Sequence, residues 1–199
     1  MTVFRILRVD LSREHFTEEI IKEDLLKKFL GGRGGLAAYL ALKEIPRGID
    51  PFDPSNKLYI FSGPLSGIAT ISSSRVNVTT RSPLTGVYTH SNAGGNFSYW
   101  LRKSGYDGLI IEGKADEPVY LVIKDGEPKL KPAKHIWGGK WTGASTKIIL
   151  EENGFPPDET KAGVAVIGPA GENLVKISGI RFSDYERFAG RGRRRCCDG

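Results

Sequence analysis

The sequence predicts a globular fold that combines β-hairpins with a few short helices. Apolar and polar side chains alternate in several short runs, which are separated by turns rich in Gly, Pro and Ser. Elsewhere, apolar residues three and four positions apart indicate short amphipathic helices. With 199 residues, 39% hydrophobic and 26% charged, the chain is long enough to bury a core of its own.

The N-terminal part is predicted to form one hairpin followed by two helices. Residues 3–11 and 14–20 alternate around a short turn, and residues 25–30 and 36–44 carry helical spacing. The run GGRGG between the two helices resembles a dinucleotide-binding loop, but such a loop follows a strand. A helix–helix connection is therefore favoured, although Arg33 at its centre could still face an anion.

The remaining elements are mostly strands. Asp125-Gly126 predicts the turn of a hairpin within residues 119–130, and residues 142–152 predict a helix. GPLS at 63–66 and GPAG at 168–171 each follow an apolar strand and precede a strand and an arginine, which leaves an internal duplication open. Further strands are predicted over residues 58–61, 106–113, 162–167 and 175–180.

The stretch of residues 63–95 contains the candidate functional residues. Short β-rich runs alternate there with turns, and Arg75 lies between two segments rich in Ser and Thr. The stretch ends in Asn-Ala-Gly-Gly at 92–95, ahead of a helix predicted over residues 96–104. Glycines let backbone N–H groups approach a ligand, arginine binds phosphate through two donors, and an Asn oxygen can join the ligands of Mg²⁺. The pattern favours an anion-binding loop for a phosphorylated ligand.

Charge and hydropathy argue against two classes of protein. The net charge of +6 falls to +4 without residues 193–199, which hold three Arg and one Asp, and the other charges are interspersed. No apolar run approaches the roughly 18 residues of a membrane span, and the N-terminus lacks the apolar core of a signal peptide. The sequence therefore predicts no nucleic-acid partner, no membrane and a cytoplasmic location.

Catalytic or metal-binding clusters are not predicted. His15, His90 and His135 are scattered, and only His90 lies near the candidate loop. Cys196 and Cys197 are adjacent and match neither a C-x-x-C pair nor the four thiolates of an iron–sulfur cluster. No catalytic residue is assigned to the chain.

The chain resembles the N-terminal domain of the tungsten-containing aldehyde ferredoxin oxidoreductase family. The resemblance rests on GPLSG, SSSRVNVTTRSPLTGV, SNAGG, GYDGLIIEGKADEPVYL, HIWG, IGPAGENLVKIS and DYERFAGRG, in this order. It implies an α+β fold of that N-terminal type, with two mixed β-sheets and a few short helices. Residues 1–192 would form a platform for a tungsten (or molybdenum) bis-pterin cofactor, and residues 193–199 an aberrant tail.

The resemblance also implies the residues of the site. In the family, pterin sulfurs hold the metal and Mg²⁺ bridges the two pterin phosphates, so this domain needs no Cys or His ligands. Asn92 matches a Mg²⁺ ligand, and Phe188 stands where the family often has a small residue whose backbone carbonyl binds Mg²⁺. The implied cofactor-binding residues are Arg75, Asn92, Ala93, Gly94, Gly95, Arg187, Phe188, Ala189 and Gly190.

The implied function is that of a cofactor-binding domain. The full enzyme would oxidise an aldehyde to a carboxylic acid and pass electrons through a 4Fe–4S cluster to ferredoxin. The cluster ligands lie in later domains of the family, so the chain is expected to be inactive alone. The implied partners are those C-terminal domains, ferredoxin and a homodimer partner. A stand-alone binding module for a phosphorylated pterin or another anion is the alternative.

The last seven residues depart from the family pattern. Where the family continues Gly-Val-Gly-Ala-Val-Met-Gly, the chain reads RRRCCDG, and codons for these residues read one nucleotide later can encode the family sequence. The tail therefore indicates a frameshift, with a genuine basic tail as the alternative. A platform covered by other domains is also expected to expose apolar surface when alone.

Overall fold

The computed structural model describes residues 3–32, 35–68, 73–157, 160–182 and 187–190. Arg33, the segment 184–186 and the C-terminal tail lie outside these residues. Within them the strands are β1 (Phe4–Asp10), β2 (His15–Ile21), β3 (Leu58–Ser62), β4 (Val76–Arg81), β5 (Tyr88–Ala93), β6 (Gly108–Glu112), β7 (Val119–Lys124), β8 (Glu127–Pro132), β9 (Ala165–Val166), β10 (Ile180–Phe182) and β11 (Arg187–Ala189). The helices are α1 (Glu23–Phe29), α2 (Leu36–Glu44), α3 (Phe97–Lys103), α4 (Thr142–Glu152) and α5 (Pro169–Glu172).

Most of the long strands belong to one mixed sheet of six strands, in the order β2-β1-β6-β3-β4-β5. β1 and β6 run parallel, and the other neighbours run antiparallel. Two smaller antiparallel sheets follow, β11-β10-β9 and the hairpin β7-β8. The α+β class is confirmed. The described residues form three sheets, one of them mixed, whereas the resemblance implies two mixed sheets.

The six-stranded sheet is buried on both faces, which follows from the alternation of side chains along each strand. On one face, Leu7, Ile60 and Leu109 join a cluster with α3 and with the apolar side chains of the β7-β8 hairpin. On the other face, Ile6 and Phe61 pack against α1 and α2. The sheet is therefore the middle layer of the molecule, and the site residues described below lie at its β4–β5 edge.

Several predicted boundaries are confirmed. The helices predicted over 36–44 and 142–152 have those limits, and the hairpins predicted at 3–20 and 119–130 form β1-β2 and β7-β8. Asp125 and Gly126 have φ values of 54° and 85°, as the tight turn of that hairpin requires. GGRGG lies in the connection between α1 and α2, as predicted.

Two predicted strands are wrong in extent or position. Residues 162–167 contribute only the two residues of β9, which pair with β10. Residues 175–179 form turns, in which the N–H of Val175 donates to Ala170 and that of Ser178 to Val175, and the strand begins at Ile180. GPLS forms a turn whereas GPAG begins helix α5, so the two segments of the suggested duplication differ in local structure.

Candidate functional site

The predicted site residues lie at the ends of neighbouring strands. Arg75 directly precedes β4, and Val76 of β4 pairs with Ala93 at the end of β5. β11, which begins at Arg187, lies against β5. Ala93 and Ala189 are both buried in the same apolar cluster. The structure thereby brings together the two halves of the predicted site, which are about a hundred residues apart in sequence.

Two arginines provide positive charge at these strand ends. The side chains of Arg75 and Arg187 are exposed, and neither forms an ion pair with any residue that the structure describes. The Arg75 carbonyl, in contrast, accepts hydrogen bonds from the N–H of Gly63 at 3.2 Å and from the hydroxyl of Ser66 at 3.4 Å. The backbone of Arg75 is thus held while its guanidinium group is available to an anion.

Glycines leave space beside the arginines. A Cβ atom built on Gly94 or Gly190 would meet no atom of the described residues within 4 Å. Gly95 has a φ of 96°, a conformation that favours glycine, and α3 begins two residues later. A ligand can therefore approach the backbone at the ends of both β5 and β11.

The side chain of Asn92 is held by a polar cluster that sequence reasoning missed. Asn77, on β4, donates from Nδ2 to Asn92 Oδ1 at 3.0 Å and to the Ser91 carbonyl at 3.3 Å. Thr79 donates to Asn77 Oδ1 at 2.9 Å, and both Asn77 and Thr79 are buried. The alternation of Asn77 and Thr79 with Val76 and Val78 in VNVTT was the signal in the sequence that these two polar side chains share one face of β4.

Arg102 is a second residue that sequence reasoning missed. From α3 it donates to the Pro64 carbonyl at 2.9 Å and also binds the Ser66 carbonyl, and it forms an ion pair with Asp107 at 2.9 Å. These bonds fix the turn that packs against the backbone of Arg75. Arg102 therefore supports the site structurally, and its charge is already paired.

The described part of the chain contains no group of three His, Cys, Asp or Glu side chains that could hold a metal ion. His90 pairs with Thr79 between β5 and β4 and lies on the same strand as Asn92, two residues before it.

No helix in the described ranges is long and apolar enough to cross a membrane.

A cavity of about 570 Å³ lies between the six-stranded sheet, the β7-β8 hairpin and α4. Its lining is predominantly apolar and includes Ile60, Leu109, Leu121 and Ile149, but none of the predicted site residues. Ile60 and Leu109 face the side of the sheet opposite to Asn77, because neighbouring residues of a strand point to opposite faces. The cavity is thus separate from the candidate site.

Comparisons with known proteins agree with this architecture. The family model described as "Aldehyde ferredoxin oxidoreductase, N-terminal domain" matches residues 6–193. This chain belongs to that family. A tungsten-containing aldehyde ferredoxin oxidoreductase of Pyrococcus furiosus is 46% identical over 188 residues, which are 94% of this chain and 30% of the relative. The corresponding protein of Thermococcus kodakarensis is 44% identical over 94% of this chain and 30% of its own length.

Two further similarities extend the family comparison. An aliphatic sulfonate oxidoreductase, WOR-like subunit, of Pyrococcus furiosus is 32% identical over 88% of this chain and 29% of its own length. The solved active-site complex BamBC of benzoyl coenzyme A reductase with 1,5-dienoyl-CoA includes a chain of TM-score 0.87 and 32% identity, matching 96% of this chain and 29% of that one. The chain thus spans about 30% of the length of the curated relatives it matches.

The described residues fit an anionic group of the kind the family implies. Arginine forms paired N–H bonds with phosphate, and the positions of Arg75 and Arg187 leave both guanidinium groups unpaired among the described residues. Gly94 follows the end of β5 that pairs with the start of β4 after Arg75, and Gly190 follows the end of β11, the strand that Arg187 begins. Phe188 has a side chain 51% exposed, so its bulk lies largely outside the core while its backbone stays in β11.

Proposed function

We propose that this chain is the cofactor-binding domain of an aldehyde:ferredoxin oxidoreductase. One observation carries the proposal: in a chain of this family, two arginines that are exposed and form no ion pair with a described residue flank strands β4 and β11, and uncrowded glycines follow β5 and β11, which contact each other. Arg75 and Arg187 would bind the phosphates of a bis-pterin cofactor through their paired donors. Gly94 and Gly95 would let the backbone approach the cofactor closely.

The proposal includes a Mg²⁺ ion beside the cofactor phosphates, which Asn92 and the Phe188 backbone carbonyl would help to hold. Mg²⁺ prefers oxygen ligands and usually shares them between phosphate, water and one or two protein groups. A backbone carbonyl depends on the path of the chain rather than on side-chain size, and Phe188 is held in the β10–β11 ladder opposite Arg181. The tungsten or molybdenum of the bound cofactor would supply the oxidation of an aldehyde to a carboxylic acid.

The proposed partners are C-terminal domains carrying a 4Fe–4S cluster, together with ferredoxin and a second copy of the enzyme. The lengths of the relatives support the first of these, because this chain matches only 30% of each. Without those domains the chain would be inactive, and with them the enzyme would be cytoplasmic.

A chimera tests the proposal. Residues 6–193 of this chain replace the matching domain of the Pyrococcus furiosus relative, and the purified protein is analysed for tungsten, molybdenum, magnesium and pterin. We expect stoichiometric pterin and metal. Arg75→Ala and Arg187→Ala should each lower the pterin content severalfold, since a charge-assisted hydrogen bond is worth about 1.5–3 kcal/mol. Arg13→Ala, which removes an arginine exposed over 83% of its side chain, is the matched control.

Glycine variants distinguish a loss of space for the cofactor from a loss of folding stability. Gly94→Ala should leave the unfolding midpoint unchanged while lowering pterin content. A Cβ atom at this position would contact no described residue, but it would fill space proposed for the cofactor. Gly143→Ala, equally uncrowded but on α4, should leave pterin content unchanged and should not lower the unfolding midpoint, since Ala favours a helix more than Gly does. A folded chimera without tungsten, molybdenum or pterin would contradict the proposal. If the 199-residue chain alone then bound a phosphorylated pterin, it would be a stand-alone binding module.

A further inference from the structure

Asn77 is buried beneath the candidate site and makes three side-chain hydrogen bonds. Only 3% of it is exposed, and Thr79, which donates to its Oδ1, is fully buried. The other end of the Asn77 amide lies 3.0 Å from the side chain of Asn92 and 3.3 Å from the Ser91 carbonyl. Asn77 thus connects the interior of the sheet with the half-buried side chain of Asn92.

The Ser91 carbonyl determines how both amides are turned. A carbonyl oxygen can only accept, so the Asn77 atom that faces it is the donor Nδ2. The same Nδ2 faces Asn92, and the Asn92 atom opposite it must therefore be the acceptor Oδ1. The Asn92 nitrogen then points away from Asn77, and it donates to no acceptor among the described residues.

We propose that Asn77 is a positioning residue that turns the Asn92 amide so that its N–H₂ group, not its oxygen, faces the ligand. Asn92 would then donate a hydrogen bond to an anionic oxygen of the ligand, such as a phosphate oxygen. The side-chain oxygen of Asn92 faces Asn77, so the contribution of Asn92 to the proposed Mg²⁺ site would come from its backbone carbonyl. The identity of the anion rests on the proposed function, whereas the orientation of Asn92 does not.

Solvent exchange of side-chain amide protons in the ¹⁵N-labelled 199-residue chain tests the orientation without any cofactor. In the wild type, the Asn92 protons should exchange freely while those of Asn77 are protected. In Asn77→Asp, the carboxylate can only accept, so the Asn92 amide should turn round and its protons should exchange about fivefold more slowly, the factor of one ordinary hydrogen bond. Asn173→Asp, the same replacement at an exposed asparagine directly after α5, should leave Asn92 unchanged.

The wild-type measurement decides the orientation even if Asn77→Asp does not fold. Protected Asn92 protons in the wild type would overturn the inference, because the nitrogen would then be the atom bound to residue 77. Two uncharged variants of Thr79 add a second check. Thr79→Val should speed the exchange of the Asn77 side-chain amide protons, whereas Thr79→Ser, which keeps the hydroxyl, should leave their exchange as slow as in the wild type.

Separate titrations with inorganic phosphate and with MgCl₂ test the ligand. Phosphate should shift the Asn92 side-chain signal, and Mg²⁺ alone should not. Asn77→Ala should reduce the phosphate response severalfold, since Asn92 is no longer held. A shift with Mg²⁺ alone would overturn the inference while leaving the cofactor platform intact, with Asn92 as its metal ligand. No shift with either ion would also overturn it. Failure of the platform itself would appear separately, as a chimera that lacks metal and pterin.

Discussion

At the scale of single residues, Gly108 shows how closely the central sheet is packed. A Cβ atom on Gly108 would lie 2.5 Å from Cδ1 of Phe61, a fully buried ring that also contacts Phe4 edge-on. We expect Gly108→Ala to lower the free energy of unfolding by about 1–3 kcal/mol, because overpacking displaces the ring. Denaturant unfolding measures this. Gly143→Ala, where no described atom lies within 4 Å, is the control, and equal losses in both variants would contradict the packing argument.

The candidate site was only partly predictable at this scale. Resemblance to the family pointed to Arg75 and Asn92, and the structure places both at the edge where β4 begins and β5 ends. The role of Asn77 could not be read from the sequence, because it depends on the register that sets Asn77 opposite Asn92 and on the carbonyl of Ser91. The alternation of residues along a strand predicts the face on which a side chain lies, but it does not predict which residues that side chain contacts.

At the scale of elements, a network of ion pairs joins five parts of the fold. Arg8 of β1 binds Glu44 of α2 through two nitrogens at 2.7 and 2.9 Å, and Glu19 of β2 at 2.6 Å. Lys57, directly before β3, binds Glu44 at 3.2 Å and Glu112 of β6 at 2.5 Å. The network therefore fixes the end of α2 against the sheet.

Glu44→Gln should destabilise the protein in a manner that depends on pH. Burial raises the pKa of Glu44, but hydrogen bonds and charges from Arg8 and Lys57 outweigh it, so the net pKa is lowered. Because its pKa is lower in the folded than in the unfolded protein, Glu44 stabilises the fold above the unfolded pKa of about 4.3. This stabilisation is lost as the pH falls through the pKa of the folded protein. At pH 7 we expect a loss of about 2–3 kcal/mol, since the change removes one of the two carboxylate partners of each of two partly buried cations, Arg8 and Lys57.

The pH series supplies its own test. The difference between wild type and Glu44→Gln should shrink as the pH falls from about 4.3 through the lowered pKa of the folded protein, because the wild-type carboxyl takes up its proton over that range. Glu23→Gln, which breaks an exposed pair with Lys27 within α1, should cost about 0.3–0.5 kcal/mol. A loss at Glu44 that is independent of pH would show that packing, not charge, is responsible.

The elements themselves were predictable where local pattern and tertiary pairing agree. The hairpins and the helices α2 and α4 carry strong turn or periodicity signals, and they form as predicted. The strand predicted at 175–180 failed because turns after α5 satisfy its backbone, and its pairing partner β9 has only two residues. Pro169 at the start of α5 is a helix signal that the comparison of GPAG with GPLS overlooked.

At the scale of the whole molecule, exposed apolar side chains concentrate in the segment after the β7-β8 hairpin. Glu172 of α5 accepts hydrogen bonds from the N–H groups of Gly138 and Gly139, which brings the loop containing Trp137 and Trp141 beside α5. The exposed members of this segment, here called the tryptophan surface, are Trp137, Trp141, Ile167, Leu174, Val175 and Ile177. A surface of this kind agrees with the expectation that other domains cover the platform.

The tryptophan surface should make the isolated chain self-associate and bind an apolar dye. Trp141, 79% exposed, contributes the largest side chain, so Trp141→Ser should lower both dye fluorescence and the concentration-dependent increase in mass seen by light scattering. Val87→Ser, which removes an apolar side chain 61% exposed on the loop between β4 and β5, should change either quantity much less. In the chimera, where further domains are present, the wild-type surface should bind little dye. Equal dye binding by the isolated chain and the chimera would show that those domains leave the tryptophan surface uncovered.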